Sequence, residues 1–153
     1  MRRPPLATIG YQAATVASFL DALRAARVEL VVDVRAVASS RRPGFSKTRL
    51  AATLAESDIG YLHLRGLGTP AAGRAAARAG RVGRMQAIYR THLATVEAQA
   101  ELAELVALVR AGRRVCLLCF EADPAHCHRT LVADAVRTTL PVGLTHLRPT
   151  DAE

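Results

Sequence analysis

With 153 residues, half of them hydrophobic, the chain is long enough to bury a core without disulfides or metal and too apolar for its bulk to be disordered. No apolar run approaches the roughly 18 residues of a membrane span, and no signal-peptide pattern follows the basic start Met1-Arg2-Arg3-Pro4-Pro5, so a cytoplasmic protein with no membrane partner is expected. The formal charge of +8, carried almost wholly by arginine because Lys47 is the only lysine, reflects either general surface charge or an anionic partner, a phosphorylated small molecule or nucleic acid.

In chain order, Leu6 to Gly10 reads as a short strand, and Thr15 to Ala26 as a helix with Val16, Phe19, Leu20 and Leu23 on one stripe. Leu30 to Val34 is a continuous apolar run holding one acid, the mark of a strand buried on both faces. A loop from Arg35 to Phe45 leads into a helix from Ser46, its expected N-cap, to Ser57. Ile59 to Leu64 predicts a third strand. Residues 69 to 84 are small and arginine-studded and are broken by Gly73, Gly80 and Gly83, which predicts a mobile basic segment, loop or weak helix. Gln86 to Ala111 is helical by composition. A single helix there would run roughly 39 Å at about 1.5 Å per residue, so a break near Thr95 is expected. Arg114 to Phe120 predicts a strand, Pro124 to Leu140 a helix, and Val142 to Leu147 a last strand.

This alternation predicts a three-layer α/β fold in a single domain over residues 1 to 153: a mostly parallel sheet of about five strands flanked by helices. Ligands of parallel sheets bind beyond the carboxyl ends of the strands. Those ends carry Gly10-Tyr11, Asp33-Val34-Arg35, His63-Leu64-Arg65 and Cys119-Phe120-Glu121.

The densest chemistry lies in residues 115 to 129. Cys116 and Cys119 have C-x2-C spacing, but an offset of three on a strand puts them on opposite faces, so no metal or other cofactor is expected. Three cysteines, an odd number, fit reduced thiols. Asp123 and Pro124 form an N-cap and N1 pair that would place Cys127 in the first turn of a helix, where the dipole, His126, His128 and Arg129 favour a thiolate. The other reading of Cys127 is a core stripe with Leu131 and Ala135. Arg129 near a helix start opposes the dipole unless an anion or the Glu121 carboxylate answers it.

The loop before Lys47 repeats that logic. Ser40, Arg41 and Arg42 precede a helix whose first turn holds Lys47 and Arg49, a cradle for phosphate or a solvated basic loop. Asp33 shares a strand face with Arg35, which predicts an ion pair; otherwise Asp33, Glu121 and His63 are the acid–base candidates. Arg74, Arg78, Arg81 and Arg84 would share one helical face, most simply a solvated one.

Thr8-Ile9-Gly10, Asp33-Val34-Arg35, Ser40-Arg41, Gly44-Phe45-Ser46-Lys47, Tyr61-Leu62-His63-Leu64, Leu67-Gly68-Thr69-Pro70 and Cys119-Phe120-Glu121 through Cys127-His128-Arg129 run in the order seen in a known family. Over residues 6 to 140 the chain resembles the domain of unknown function 488 (DUF488). The resemblance implies a compact α/β domain with its site on these motifs, but no particular reaction. Two positions depart from the family pattern: Tyr11 stands where a histidine is usual and Ala38 where a proline is usual. Tyrosine, with an ordinary pKa near 10, is a poor base at neutral pH.

The leading expectation is therefore a phosphate-bearing or nucleic-acid ligand at the carboxyl edge of the sheet, bound by Tyr11, Arg35, Ser40, Arg41, Lys47, His128 and Arg129. Asp33, His63, Glu121 and Cys127 are the catalytic candidates of a hydrolase- or lyase-type enzyme. A non-catalytic basic nucleic-acid-binding module and thiol-dependent sulfur or acyl chemistry at Cys127 or Cys119 are the alternatives.

Overall fold

The computed structural model describes residues 3–150. Five strands form one sheet: β1 (Leu6–Gly10), β2 (Leu30–Asp33), β3 (Gly60–His63), β4 (Val115–Cys119) and β5 (Leu144–Leu147). Their order is β3-β2-β4-β1-β5, and every neighbouring pair is parallel. Parallel neighbours need crossovers, which here are the helices α1 (Val16–Ala25), α2 (Lys47–Glu56), α3 (Ala71–Arg78), α4 (Val82–Leu93), α5 (Val96–Arg110) and α6 (Arg129–Thr139).

The helices cover both faces, giving the three-layer α/β architecture. Side-chain alternation along β4 shows the division. Val115, Leu117 and Cys119 join Met85 and Tyr89 of α4, Leu105 and Val109 of α5, and Val132 and Val136 of α6. Cys116 and Leu118 join Phe19 and Leu23 of α1 and Leu50 and Leu54 of α2. Cys116 and Cys119 therefore do lie on opposite faces.

Local signals account for most boundaries. Thr15 and Ser18 close a capping box on α1. The expected break near Thr95 separates α4 from α5, and Thr95 caps the latter by accepting from Ala98 N. Ser46 stands at the N-cap position of α2, but its hydroxyl is occupied elsewhere: Ser46 Oγ accepts from Ser40 N and donates to Ser40 O, folding the preceding loop back on itself.

Two segments differ from expectation. Residues 69 to 84 form α3 and the start of α4, joined at Gly80, whose φ of 76° suits glycine. The small residues let α3 pack closely: Gly73 and Ala76 are buried, and a Cβ at Gly73 would collide with the Thr69 side chain. The helix expected from Pro124 is interrupted. Pro124–His126 is a single 3-10 turn capped by Asp123 Oδ1, which accepts from Ala125 N. Cys127 is then extended (φ −128°, ψ 142°), and α6 begins only at Arg129. Cys127 is thus not in a helical first turn. Its side chain is instead turned into the core, where the buried stripe of α6 is Arg129, Val132, Ala133 and Val136.

Among the described residues, no helix is long and apolar enough to cross a membrane.

Candidate functional site

Beyond the carboxyl ends of β1, β2 and β4 lies a cavity of about 640 Å³. Tyr11 and Gln12 follow β1, Arg35 to Arg42 form a wall after β2, and Cys119, Phe120 and Glu121 end β4. His126, Cys127 and His128 come from the turn before α6, and Thr69, Arg74, Ala77 and Arg78 from α3 and the residue pair before it. Val37 and Phe120 are 54% and 38% exposed, unusual for large apolar side chains, and both line this cavity.

Its floor is a cluster of Cys119, Cys127 and His128, whose ligating atoms all lie within 4.8 Å of one another. His128 Nε2 is 2.7 Å from Val34 O, and a carbonyl can only accept, so Nε2 carries a proton. Nδ1 is then an acceptor in the neutral ring and a second donor in the protonated one. It lies 3.5 Å from Cys119 Sγ and 3.9 Å from Cys127 Sγ. The Tyr89 ring packs on the imidazole with centroids 5.0 Å apart, and Tyr89 OH donates to Leu67 O.

The two thiols are held in opposite states. Hydrogen bonding to Cys127, then burial, pushes Cys119 up. Burial alone would also raise Cys127, but hydrogen bonds from Cys119 and His128 and the charges of His128 and Arg129 outweigh it and hold Cys127 well below the usual thiol range. Glu121, the one carboxylate among the lining residues, is raised by its half-burial and then by Cys127. Such an arrangement can support a thiolate, bind a soft metal ion, or offer a protonated carboxyl as an acid.

Asp33 and Arg35 are locked together below the cavity. Arg35 Nε donates to Asp33 Oδ1 at 2.9 Å and Nη2 to Oδ2 at 2.7 Å, while Tyr61 OH donates to Oδ2. Arg35 Nη1 continues to Tyr11 OH and Phe45 O. Burial alone would lower the Arg35 pKa, but the Asp33 hydrogen bonds and charge more than reverse this. Tyr11 stacks on Phe45 with centroids 4.6 Å apart, and its hydroxyl accepts from Arg35. The geometry thus ties Asp33 into a pinned ion pair.

Arg129 is wholly buried, and among the described residues no carboxylate comes within ion-pair distance of it. Nη1 donates to Glu121 O at 2.6 Å and Nη2 to Ala122 O, so the guanidinium shapes the loop after β4. Gly10 lets that loop come close, since a Cβ there would overlap the Glu121 carbonyl.

Of the residues singled out from the sequence, Tyr11, Arg35, Ser40, Arg41, Glu121, Cys127 and His128 meet at the cavity. Asp33, His63, Lys47 and Arg129 lie outside its lining. His63 Nε2 donates to Arg35 O at 2.7 Å, and Lys47 is exposed on α2. Arg42, Arg74 and Arg78 line it without having been singled out as site residues. Arg42 Nη2 donates to Ala14 O and Arg74 Nη1 to Thr69 O. The i, i+4 spacing of Arg74 and Arg78 marked a shared face, but only the packing of α3 reveals that this face turns to the cavity. The guanidinium groups of Arg41 and Arg78 have no hydrogen bond or ion pair with any described residue.

The model of the family described as Domain of unknown function DUF488 matches residues 15–136. The chain belongs to the DUF488 family. Comparison with curated proteins and with solved structures finds no match. The span shared with the DUF488 model contains Arg41, Arg78, Cys119, Glu121, Cys127 and His128, and leaves Tyr11 outside.

Proposed function

We propose that the cavity binds a phosphate-bearing anion and acts on it as a hydrolase- or lyase-type enzyme, with Cys119, Cys127 and His128 at its reactive end. One observation carries this reading: Arg41 and Arg78, two guanidinium groups without internal partners, line the same cavity as the sulfur–imidazole cluster. Guanidinium presents a planar fork of donors that matches phosphate and carboxylate oxygens. The cavity volume, about 640 Å³, falls in the range of small-molecule sites, roughly 300–1,000 Å³. That favours a small ligand over a long nucleic acid.

The test is thermal unfolding of the full chain with inorganic phosphate, nucleoside monophosphates, and single-stranded and duplex oligonucleotides, each at low and high salt. Stabilisation by a small phosphate compound that survives high salt supports the reading. Stabilisation only by oligonucleotides, vanishing as salt rises, replaces it with a basic nucleic-acid-binding module.

The orientation of His128 favours a second reading. With Nε2 committed to Val34 O, Nδ1 can take the proton of Cys127 and leave a nucleophilic thiolate facing the cavity. Thiol chemistry at Cys127 requires that Cys127→Ser abolish turnover while leaving ligand binding intact.

A further inference from the structure

We propose that Cys119, Cys127 and His128 bind one zinc ion, with a fourth coordination position open to the cavity. Cys116 and Cys119, the C-x2-C pair, lie on opposite faces of the sheet and cannot share a metal. The chain instead brings Cys127 and His128 back against Cys119, because the extended backbone at Cys127 turns its sulfur inward before α6 begins.

The spacing fits. Bond lengths of about 2.3 Å to sulfur and about 2.0–2.1 Å to nitrogen place tetrahedral sulfur and nitrogen ligands about 3.6 Å apart. The two sulfur–nitrogen separations are 3.5 and 3.9 Å. The donor types fit as well, since two thiolates and an imidazole suit zinc and exclude hard cations such as magnesium.

Two further features match a metal centre. The Nε2–Val34 O hydrogen bond fixes the ring and directs Nδ1 at both sulfurs, the outer support that metal-bound histidines generally carry. All three residues are buried yet border the cavity, so the set is incomplete on that one side. Three protein ligands plus one open position distinguish catalytic zinc from closed structural zinc. An open position facing the cavity that Arg41 and Arg78 also line would seat a water or a ligand oxygen, which serves hydrolysis.

The experiment titrates the full chain, kept reduced by a non-thiol reductant, with cobalt(II) as a spectroscopic stand-in and then with zinc. The expected result is a sulfur-to-cobalt charge-transfer band that saturates at one metal per chain and is removed by zinc. The band is lost in Cys119→Ala and Cys127→Ala, weakened in His128→Ala, and kept in Cys116→Ala. As a check that needs no variant, zinc should abolish alkylation of Cys119 and Cys127 by iodoacetamide in the natural chain. Absence of the band, its survival in Cys127→Ala, or undiminished alkylation under saturating zinc overturns the site. The anion reading fails separately: Arg41→Ala/Arg78→Ala should bind cobalt normally whatever it does to phosphate.

Discussion

His128 donates through Nε2 to the main-chain oxygen of Val34, 2.7 Å away and 94 residues earlier in the chain. This single bond ties the turn before α6 to the end of β2 and decides which ring nitrogen faces Cys119 and Cys127. Replacing His128 by alanine leaves a buried carbonyl without its donor, at a cost of about 1–3 kcal/mol. Urea denaturation should show that loss, and His128→Gln, which keeps an N–H donor, should recover part of it.

Asp33 and Arg35 form a buried ion pair in which both carboxylate oxygens are engaged. Removing one member of such a pair typically costs about 3–5 kcal/mol, because the other charge is left buried. Asp33→Ala is expected to lower stability by that amount in denaturant titration. Loss of activity in that variant should track the unfolded fraction.

Gly10 is required by the close approach of the Glu121 carbonyl. In Gly10→Ala the loop after β4 must move, which for a small insertion into packed structure costs about 1–3 kcal/mol. Because Glu121 lines the cavity, the variant should also weaken ligand binding at temperatures where it is still folded. Calorimetric unfolding and a ligand titration on the same sample separate the two effects.

His146 accepts or donates at Thr8 Oγ1 over 2.6 Å, and its pKa is lowered, first by burial and then by the charges of Arg129 and Arg148. A histidine with a folded pKa below its unfolded value of about 6.5 binds fewer protons when folded. Its contribution is therefore fully present above about pH 6.5 and is lost as pH falls through the folded pKa. Stability measured by urea titration should decline with acidification through that window, and His146→Gln should flatten the slope.

The sheet was legible because its strands are short apolar runs bounded by turn residues. Leu30 to Asp33, buried at every position, reads as a central strand directly and pairs with both β3 and β4. That Cys119, Phe120 and Glu121 lie at the sheet's carboxyl edge was legible because they end a strand, and there they line the cavity. The pairing of Cys119 with Cys127 was not, since it depends on an extended residue between a 3-10 turn and a helix, where Asp123-Pro124 predicts an uninterrupted helix. Arg74 and Arg78 were hidden for a different reason. Their helix looks weak by composition and is stabilised by contacts that small residues such as Gly73 and Ala76 make with the rest of the fold. The roles of Arg129 and His63 depend on backbone carbonyls, which no side-chain pattern reveals.

The most direct measurement is thermal unfolding of the natural chain and of Arg41→Ala/Arg78→Ala, with and without inorganic phosphate and nucleoside monophosphates. Both arginines are exposed, so without ligand the variant should match the natural chain to within about 0.5 kcal/mol. A ligand at about a hundred times its dissociation constant should stabilise the natural chain by about 2.7 kcal/mol. Most of that gain should vanish in the variant. An equal gain in both proteins, or none in either with any phosphate compound, would contradict the assignment of this cavity to an anionic ligand.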